Sequence, residues 1–338
     1  MVNKPSKTAL VTGSAGFIGF HAAARLLDDG WTVIGLDALT DYYDVDLKRA
    51  RHARLATQPR FQAVIERLET PGVLAELMTT HRPDAVLHLA AQAGVRHSID
   101  APASYVTANL EGTFALLEAM RAAPPSHALL ASTSSVYGGN PKMPYLETMP
   151  TDRPMSFYAA TKKANEVMAH SYAHLYGLPI TMFRFFTVYG PWGRPDMALF
   201  KFTRAILEDQ PIDVYNHGRM RRDFTYIDDL ISALVALVGR APGTTPVSAR
   251  DTLSPDAPFR VINLGNGAPV ELGRFIAAIE AATGKNARRN LMEIQPGDVP
   301  ATWADTGLLQ DLTGTAPATD IETGVAAFVA WYRDYFAK

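Results

Sequence analysis

The first clear indication of the fold is the stretch Thr8-Ala9-Leu10-Val11-Thr12-Gly13-Ser14-Ala15-Gly16-Phe17-Ile18-Gly19. Its first five residues are a short apolar run that predicts a buried strand, and Phe20–Leu27 has the pattern of a helix ending near Gly30. Glycines between the two permit a tight turn and let a backbone approach a pyrophosphate. The free N–H groups at the start of the helix favour an anion at the same place. Because an ordinary strand–helix turn has a similar composition, the rest of the chain must decide.

Short apolar runs alternate with helical patterns through the first half of the chain. Apolar strands separated by helices are typical of a parallel sheet that is covered on both faces. The sequence therefore predicts an α/β fold with a Rossmann-like, doubly wound parallel sheet. Further strands are predicted at Thr32–Leu36, Phe61–Ile65, Ala85–Ala90, His127–Ala131 and Pro179–Phe185.

The second half of the chain is broken into shorter pieces by prolines. We predict a dinucleotide-binding domain over residues 1–186, to which some later segments return, and a smaller C-terminal substrate-binding lobe mainly over residues 187–338. A long helix is predicted over Ser156–Tyr176, stopped by Gly177, and an amphipathic terminal helix from Ile321. Residues 240–258 predict an exposed, mobile loop.

Composition excludes several classes of protein. The 338 residues are 47% hydrophobic and 20% charged, with a net charge of −2, so no basic surface for nucleic acid is expected. The absence of cysteine excludes disulfides, thiolate nucleophiles and cysteine-ligated metals. No signal peptide is visible and no run approaches the roughly 20 apolar residues that span a bilayer. We expect a cytoplasmic protein without membrane partners.

An acidic residue closes the second predicted strand. Asp37 lies 18 residues after Gly19, close to the spacing expected for a carboxylate that binds an adenosine ribose. A carboxylate there repels a 2′-phosphate, and no Arg or Lys follows it until Lys48. The pattern therefore favours NAD over NADP.

Tyr158 and Lys162 are four residues apart, which on a helix places a phenol and an ammonium on one face. A free tyrosine has a pKa near 10. A nearby lysine and a nicotinium cation favour the phenolate, which predicts a base that works near neutrality. Hydroxyls at Thr133, Ser134 and Ser135 follow a predicted parallel strand, where side chains face a ligand crevice. A surface helix pair and a plain Ser/Thr turn are the alternatives for these two motifs.

The order of these motifs, together with the GxxGxxG spacing of the glycines, resembles the NAD-dependent epimerase/dehydratase family of extended short-chain dehydrogenases/reductases. The resemblance implies NAD as cofactor, Tyr158 as catalytic base, Lys162 as its partner, and Thr133 as a hydroxyl that bridges the phenol and substrate O4, with Ser135 beside it. His88–Arg96 resembles the loop beside the nicotinamide. The cofactor residues implied are Gly13, Gly16, Phe17, Ile18, Gly19, Asp37, Leu68, Leu89, Ala90, Ala91, Tyr158, Lys162 and Phe185.

Two features of the sequence indicate the substrate: acidic residues are absent after Thr133, and a later segment resembles that of one group within the family. Dehydratases of the family carry an acid after the threonine, and UDP-glucuronate decarboxylases a glutamate before Val-Tyr-Gly, whereas this chain has Ser134 and Ser135. The segment from Arg184 to Ala198 is similar to UDP-glucuronate 4-epimerases. The resemblance implies that Thr187 and Arg194 hold a carboxylate. It further implies contacts of UDP-glucuronic acid or UDP-galacturonic acid with Thr133, Ser134, Ser135, Tyr158, Thr187, Arg194, Tyr215, Arg222, Asp298 and Arg96.

Together these residues imply oxidation of the sugar at C4, rotation of the 4-keto sugar, and reduction on its other face. UDP-galactose 4-epimerase, UDP-glucuronate decarboxylase and, more remotely, a non-catalytic NAD-binding regulator are the alternatives. Arg67-Leu68 departs from the Asp-Leu pair usual near adenine, so Glu66 or Glu69 would have to replace that contact. The resemblance suggests a homodimer through a four-helix contact. No metal is expected, and His170 and His174 are predicted to be structural.

Overall fold

The computed structural model describes residues 6–295 and 299–336. Seven parallel strands form the central sheet in the order β10-β6-β5-β4-β1-β2-β3. This arrangement confirms the predicted Rossmann-like doubly wound fold. The seven strands are β1 (Thr8–Thr12), β2 (Thr32–Leu36), β3 (Phe61–Val64), β4 (Ala85–His88), β5 (His127–Thr133), β6 (Ile180–Phe185) and β10 (Phe259–Leu264).

Helices cover both faces of this sheet. The α-helices are α1 (Phe17–Asp28), α2 (Val45–Ala56), α3 (Val73–His81), α4 (His97–Asp100), α5 (Pro102–Tyr105), α6 (Gly112–Ala122), α7 (Phe157–Tyr176), α8 (Ala198–Leu207), α9 (Ile227–Val238), α10 (Leu272–Thr283), α11 (Gly307–Thr313) and α12 (Ile321–Phe336). Successive residues of β1 point to opposite faces. Val11 packs in the cluster that contains the apolar residues of α1 and α9, and Leu10 packs in the cluster that contains those of α3 and α6. The strand β1 therefore contributes side chains to both hydrophobic clusters.

Short strands beyond the main sheet build the smaller part of the molecule. One group surrounds β9, which pairs with β7, β11 and β13, and a second group is the parallel pair β8–β12. Their bounds are β7 (Thr187–Tyr189), β8 (Pro211–Val214), β9 (Arg221–Tyr226), β11 (Pro269–Glu271), β12 (Arg288–Leu291) and β13 (Ala301–Thr302). Because β10 returns to the main sheet, the later chain contributes to both parts. The domain boundary at residue 186 stays a prediction.

The bounds of the predicted elements differ from the observed ones mainly at their ends. The first helix begins at Phe17 rather than Phe20, because Gly16 already serves as its cap. The catalytic-motif helix α7 begins after Ser156, whose hydroxyl accepts the N–H of Ala159, and ends at Gly177 with φ of 65°. The strand predicted over Phe61–Ile65 is observed as β3, which ends at Val64 and lies at the sheet edge, where Gln62 is exposed.

Residues 240–258 contain no helix or strand and are largely exposed in their first half, as predicted. Their second half is anchored, because the buried Arg260 side chain forms an ion pair with Asp251 and His170 hydrogen-bonds to Ser254. The mobility of this loop stays a prediction. Within residues 6–295 and 299–336, no helix combines the length and the apolar character needed to cross a bilayer.

Candidate active site

A cavity of about 930 Å³ opens at the carboxyl ends of the central strands. It is lined by the glycine turn after β1, by Asp37 after β2 and by Leu68 near the end of β3. The segments 89–97 and 131–135, which follow or end β4 and β5, line it as well. All of the site residues predicted from sequence line this cavity except Asp298, which lies outside the described residues. The fold therefore gathers segments from the whole chain around a single space.

The glycine turn fits a dinucleotide because side chains are excluded from it. Gly13 has φ of 74°, and a Cβ there would lie 2.7 Å from the Ala90 nitrogen. A Cβ at Gly19 would lie 2.0 Å from the Gly13 oxygen. With Gly16 as a cap that has no side chain, the first N–H groups of α1 have no side-chain acceptor from their own cap. They are available to a pyrophosphate.

Asp37 is positioned for a ribose by two backbone donors. Its Oδ2 accepts the N–H of Ala15 at 2.9 Å and its Oδ1 accepts the N–H of Leu39 at 2.8 Å. Each carboxylate oxygen retains a lone pair for a further donor. Lys48 also lines this end of the cavity, but its ammonium donates to the Thr40 carbonyl oxygen. The NAD preference inferred from Asp37 is thus compatible with the local contacts.

The sequence did not reveal a buried arginine that lies beneath the part of the cavity near Asp37. Arg51 is fully buried in α2, and it donates to the carbonyl oxygens of Ala15, Trp192 and Gly193. It therefore joins the glycine turn to the segment that leads into Arg194. The sequence of α2 is rich in charge and reads as a solvated surface helix, so no local signal distinguished this arginine from its neighbours.

Tyr158 and Lys162 occupy one face of α7 and both line the cavity. Burial lowers the pKa of Lys162 to about 8. Burial also raises the pKa of Tyr158, whereas a hydrogen bond from Thr133 and the charge of Arg194 act in the opposite direction. The expectation that Lys162 and a nicotinium cation together favour the phenolate stays a prediction. A positive charge beside the phenol would act in the same direction as Arg194.

The serine and threonine hydroxyls lie where β5 ends. Thr133 is the last residue of the strand and caps the 3₁₀ turn Ser134–Tyr137. Its Oγ1 donates to the Ser135 Oγ at 3.2 Å and also accepts the N–H of Ser135. Both hydroxyls line the same cavity as Tyr158. No carboxylate occupies either serine position, as the sequence already shows.

A buried ion pair lies beneath the catalytic helix. Glu166, one turn after Lys162, accepts from Arg184 Nε at 2.8 Å and Nη2 at 2.9 Å, and from Ser132 Oγ at 2.6 Å. The Glu166 and Arg184 side chains are each 3% exposed. Burial acts to raise the pKa of Glu166, but the Arg184 guanidinium outweighs it and holds that pKa below its usual range. The pair fixes α7 against β5 and β6.

A second ion pair lines the cavity itself. Arg194 donates from Nε to Asp196 Oδ1 at 3.0 Å and from Nη2 to Asp196 Oδ2 at 2.5 Å. The hydroxyl of Tyr42 donates to Asp196 Oδ2 at 3.3 Å, and the Arg194 guanidinium lies 5.9 Å from the Tyr42 ring centre. Thr187, the first residue of β7, lines the cavity with them. The sequence contained Asp196 but gave no signal that it would pair with Arg194.

The far end of the cavity is aromatic and cationic. The Arg96 guanidinium lies 4.8 Å from the centre of the Tyr215 ring, so the loop after β4 reaches the 3₁₀ turn after β8. Arg222 in β9 donates from Nη1 to the carbonyl oxygens of Arg221 and Pro300. An aromatic face beside guanidinium groups suits a nucleobase and a diphosphate.

The residues described contain no cluster of three or more histidine, cysteine, aspartate or glutamate side chains that could hold a metal ion. His170 and His174, which share a helix face, instead contact the Ser254 hydroxyl and the Asp256 carbonyl oxygen. Both histidines therefore have the structural role expected of them.

Comparison with known proteins identifies the family. Residues 9–246 match the NAD dependent epimerase/dehydratase family. The chain is 54% identical over 333 residues to a probable UDP-glucuronate 4-epimerase of Rhizobium meliloti, covering 97% of this chain and 98% of that protein. It is 46% identical over 338 residues to UDP-glucuronate 4-epimerase 4 of Arabidopsis thaliana, covering 98% of this chain and 76% of that protein.

A solved structure gives the same relationship. The crystal structure of UDP-glucuronic acid 4-epimerase from Bacillus cereus, in complex with UDP-glucuronic acid and NAD, is 33% identical with a TM-score of 0.87. The match covers 97% of this chain and all of that one. Fold, site and sequence agree, and this chain belongs to the NAD dependent epimerase/dehydratase family.

Proposed function

We propose that the protein is an NAD-dependent epimerase that interconverts UDP-glucuronic acid and UDP-galacturonic acid at C4. The observation that carries the choice within the family is Arg194, which lines the same cavity as Tyr158 and whose charge acts on the Tyr158 phenol. A guanidinium this close to the base suits a sugar with a carboxylate on C5, next to the reacting carbon. The relatives named as UDP-glucuronate 4-epimerases support the same substrate.

The chain's own residues supply the proton chemistry and the orientation. In the proposed mechanism Tyr158 takes the O4 proton, and Thr133 hydrogen-bonds to both the phenol and O4. Lys162 holds positive charge beside the phenolate. NAD, held by the glycine turn and Asp37, would supply the hydride acceptor for oxidation at C4 and the hydride donor for the reduction that follows. No carboxylate occupies the position of Ser134 or Ser135, so elimination of water lacks an acid there.

The remaining predicted contacts hold the two ends of the substrate. Arg222 is proposed to bind the diphosphate, Tyr215 the uracil, and Thr187 with Arg194 the sugar carboxylate. Asp298 and Arg96 complete the proposed contacts to the nucleotide end. The 4-keto intermediate is a β-keto acid, which loses CO₂ when the bond to the carboxylate is perpendicular to the carbonyl plane. Thr187 and Arg194 are proposed to hold the carboxylate out of that alignment.

The decisive experiment is to incubate the purified protein with UDP-glucuronic acid, with and without added NAD, and to follow the sugar by proton NMR. A mixture with UDP-galacturonic acid is expected. Tyr158→Phe, which retains the ring, is expected to lose about 10²–10⁴-fold in rate. Release of CO₂ by the unaltered protein would instead indicate a decarboxylase. Turnover of UDP-glucose alone would indicate a galactose-type epimerase, and bound NAD without turnover a regulator.

The proposal includes a homodimer built from α6 and α7. These neighbouring helices expose large apolar side chains, with Phe114 51%, Val167 58% and Leu175 63% exposed. Exposed apolar surface of this kind marks association sites. A molar mass near twice 36.8 kDa by light scattering is expected, and Val167→Glu should reduce it. A cytoplasmic location is also proposed, because the site requires a supply of nicotinamide dinucleotide and nucleotide sugar.

A further inference from the structure

The Arg194–Asp196 pair has a geometry that the binding of a carboxylate does not by itself require. Asp196 accepts from Nε and Nη2 of Arg194, so it takes one complete edge of the guanidinium. Nη1 has no hydrogen-bond partner among residues 6–295 and 299–336, although the side chain lines the cavity. A planar guanidinium can bind carboxylates on more than one edge. Arg194 can therefore receive a second carboxylate without giving up the first.

A backbone turn positions the Arg194–Asp196 pair, and a third residue supports it. The Met197 N–H donates to the Arg194 carbonyl oxygen at 3.2 Å, which closes a turn with Pro195 at its second position. This turn brings the two side chains together. The Tyr42 hydroxyl donates to Asp196 Oδ2 at 3.3 Å. Both side chains of the pair are about a quarter exposed, at 23% and 24%. Asp196 is thus held in place before any ligand arrives.

Epimerisation imposes an unusual demand on the residue that binds the carboxylate. The 4-keto sugar must turn over inside the cavity, so its carboxylate has to leave any partner that it contacts in the first orientation. An unpaired guanidinium in a partly buried site holds an anion tightly, and losing that anion leaves a desolvated charge without compensation. A guanidinium that already has a permanent counterion loses much less when the substrate carboxylate departs.

We propose that Asp196 is a positioning residue that acts through Arg194 as its permanent counterion. Asp196 lowers the affinity of Arg194 for the substrate carboxylate and thereby permits rotation of the 4-keto intermediate. This inference rests on the proposed function, because it requires a sugar acid that is oxidised at C4. Tyr42 takes part by donating a hydrogen bond to the Asp196 carboxylate.

The test is Asp196→Asn, which keeps the size and one acceptor but removes the charge. We expect the dissociation constant of UDP-glucuronic acid, measured by calorimetry on NAD-loaded protein, to fall about tenfold, which corresponds to about 1.4 kcal/mol. The dissociation constant of UDP-glucose, which has no carboxylate, should stay within about twofold. We also expect kcat to fall about tenfold or more, and reduced nicotinamide, read at 340 nm in the steady state, to rise.

Two results would overturn the inference. Weaker binding of UDP-glucuronic acid by Asp196→Asn, with kcat unchanged, would mean that Asp196 only orients Arg194 for binding. Equal changes for UDP-glucose would mean a general structural role. If Asp196→Asn does not fold, Tyr42→Phe removes only the hydroxyl that holds Asp196 and should shift both quantities in the same directions by a smaller factor. Failure of the unaltered protein to epimerise UDP-glucuronic acid would instead refute the proposed function.

Discussion

Two arginine–carboxylate pairs of similar geometry lie in different surroundings, one beneath α7 and one in the wall of the cavity. Glu166–Arg184 lies beneath the catalytic helix with both side chains 3% exposed, whereas Arg194–Asp196 lines the cavity with both about a quarter exposed. Each pair has two N–H···O contacts between 2.5 and 3.0 Å. Burial and neighbouring contacts, rather than the pair itself, distinguish a structural pair from one that a ligand can approach.

The buried pair connects the pieces of the catalytic group. Glu166 and the two residues that donate to it each lie close in sequence to a residue of the site. Ser132 precedes Thr133, Arg184 precedes Phe185, and Glu166 follows Lys162 by four residues. The ionic contacts of Glu166 therefore fix the position of the phenol on α7 relative to the hydroxyls at the end of β5. The cavity pair closes one turn of chain and contacts Tyr42.

The largest expected effect is a difference between the two pairs in how much each contributes to the free energy of unfolding. Glu166→Leu leaves Arg184 buried and without its carboxylate, which should lower the free energy of unfolding by about 3–5 kcal/mol. Asp196→Ala should lower it by no more than about 1 kcal/mol, because Arg194 remains within reach of water. Urea denaturation at fixed NAD content measures both, since a bound ligand would otherwise change the apparent stability.

The matched control for the buried pair is the double variant Glu166→Leu/Arg184→Met. Replacing both partners by apolar residues of similar size avoids an isolated charge, so much of the lost stability should return. Equal losses from Glu166→Leu and Asp196→Ala would show that exposure does not separate the two pairs, and the comparison would fail.

The second effect is on chemistry at the carboxylate end. Arg194→Ala removes the proposed donor and leaves the Asp196 carboxylate facing that of the substrate. We expect kcat/KM for UDP-glucuronic acid to fall about 10²–10³-fold, the range for losing one partner of a charged contact. A fraction of turnovers should also release CO₂, detected with carboxyl-labelled substrate.

Two controls accompany Arg194→Ala. The double variant Arg194→Ala/Asp196→Ala removes the repulsion and should recover part of the loss in kcat/KM. Thr187→Ala should release CO₂ with a smaller loss of rate, because a hydroxyl contributes a weaker contact than a guanidinium. An Arg194→Ala enzyme that still oxidises the substrate yet releases no CO₂ would refute the role given to the carboxylate contact.

The comparison also explains what the sequence can and cannot predict here. Six of the seven strands of the central sheet followed from local patterns, because parallel buried strands are continuous apolar runs and the glycine turn has a fixed place between strand and helix. The seventh strand, β10, was not predicted. Tyr158 and Lys162 could be predicted from their shared helix face, and the hydroxyls of residues 133–135 from their place at a strand end, whereas the substrate contacts such as Arg222 and Tyr215 were implied only by the family resemblance. Asp298 is outside the described residues, and the roles of the site residues stay predictions.

The ion pairs could not be predicted because their partners meet only in three dimensions. Glu166 and Arg184 are 18 residues apart, on a helix and the next strand, and neither has a local signature. Arg51 contacts Trp192 from 141 residues away. Asp196 is only two residues from Arg194, but the sequence does not say that Pro195 forms a turn that pairs their side chains. The direction of the Tyr158 pKa also depends on burial, which raises it and outweighs the opposing effects of Thr133 and Arg194.

The smallest expected effect concerns the influence of the Thr133 hydroxyl on the Tyr158 phenol. The Thr133 hydroxyl and the Arg194 charge oppose the effect of burial on the Tyr158 pKa, so Thr133→Val should raise that pKa further. A higher pKa means less phenolate at neutral pH. The acidic limb of the kcat/KM profile should therefore move up by about one pH unit, with activity at neutral pH about tenfold lower.

The alkaline limb supplies the internal control for Thr133→Val. Burial lowers the pKa of Lys162 to about 8, so its charge is lost as the pH rises through that value and activity should decline there in both proteins. Within the part of the chain that the structure describes, Thr133 makes no hydrogen bond to Lys162. The alkaline limb should therefore not move. A loss of kcat/KM that is equal at every pH would mean that Thr133 contacts substrate O4 without tuning the phenol. The hydroxyl would then belong to substrate binding alone, and the catalytic end would depend on Arg194 and the cofactor's charge to lower the Tyr158 pKa.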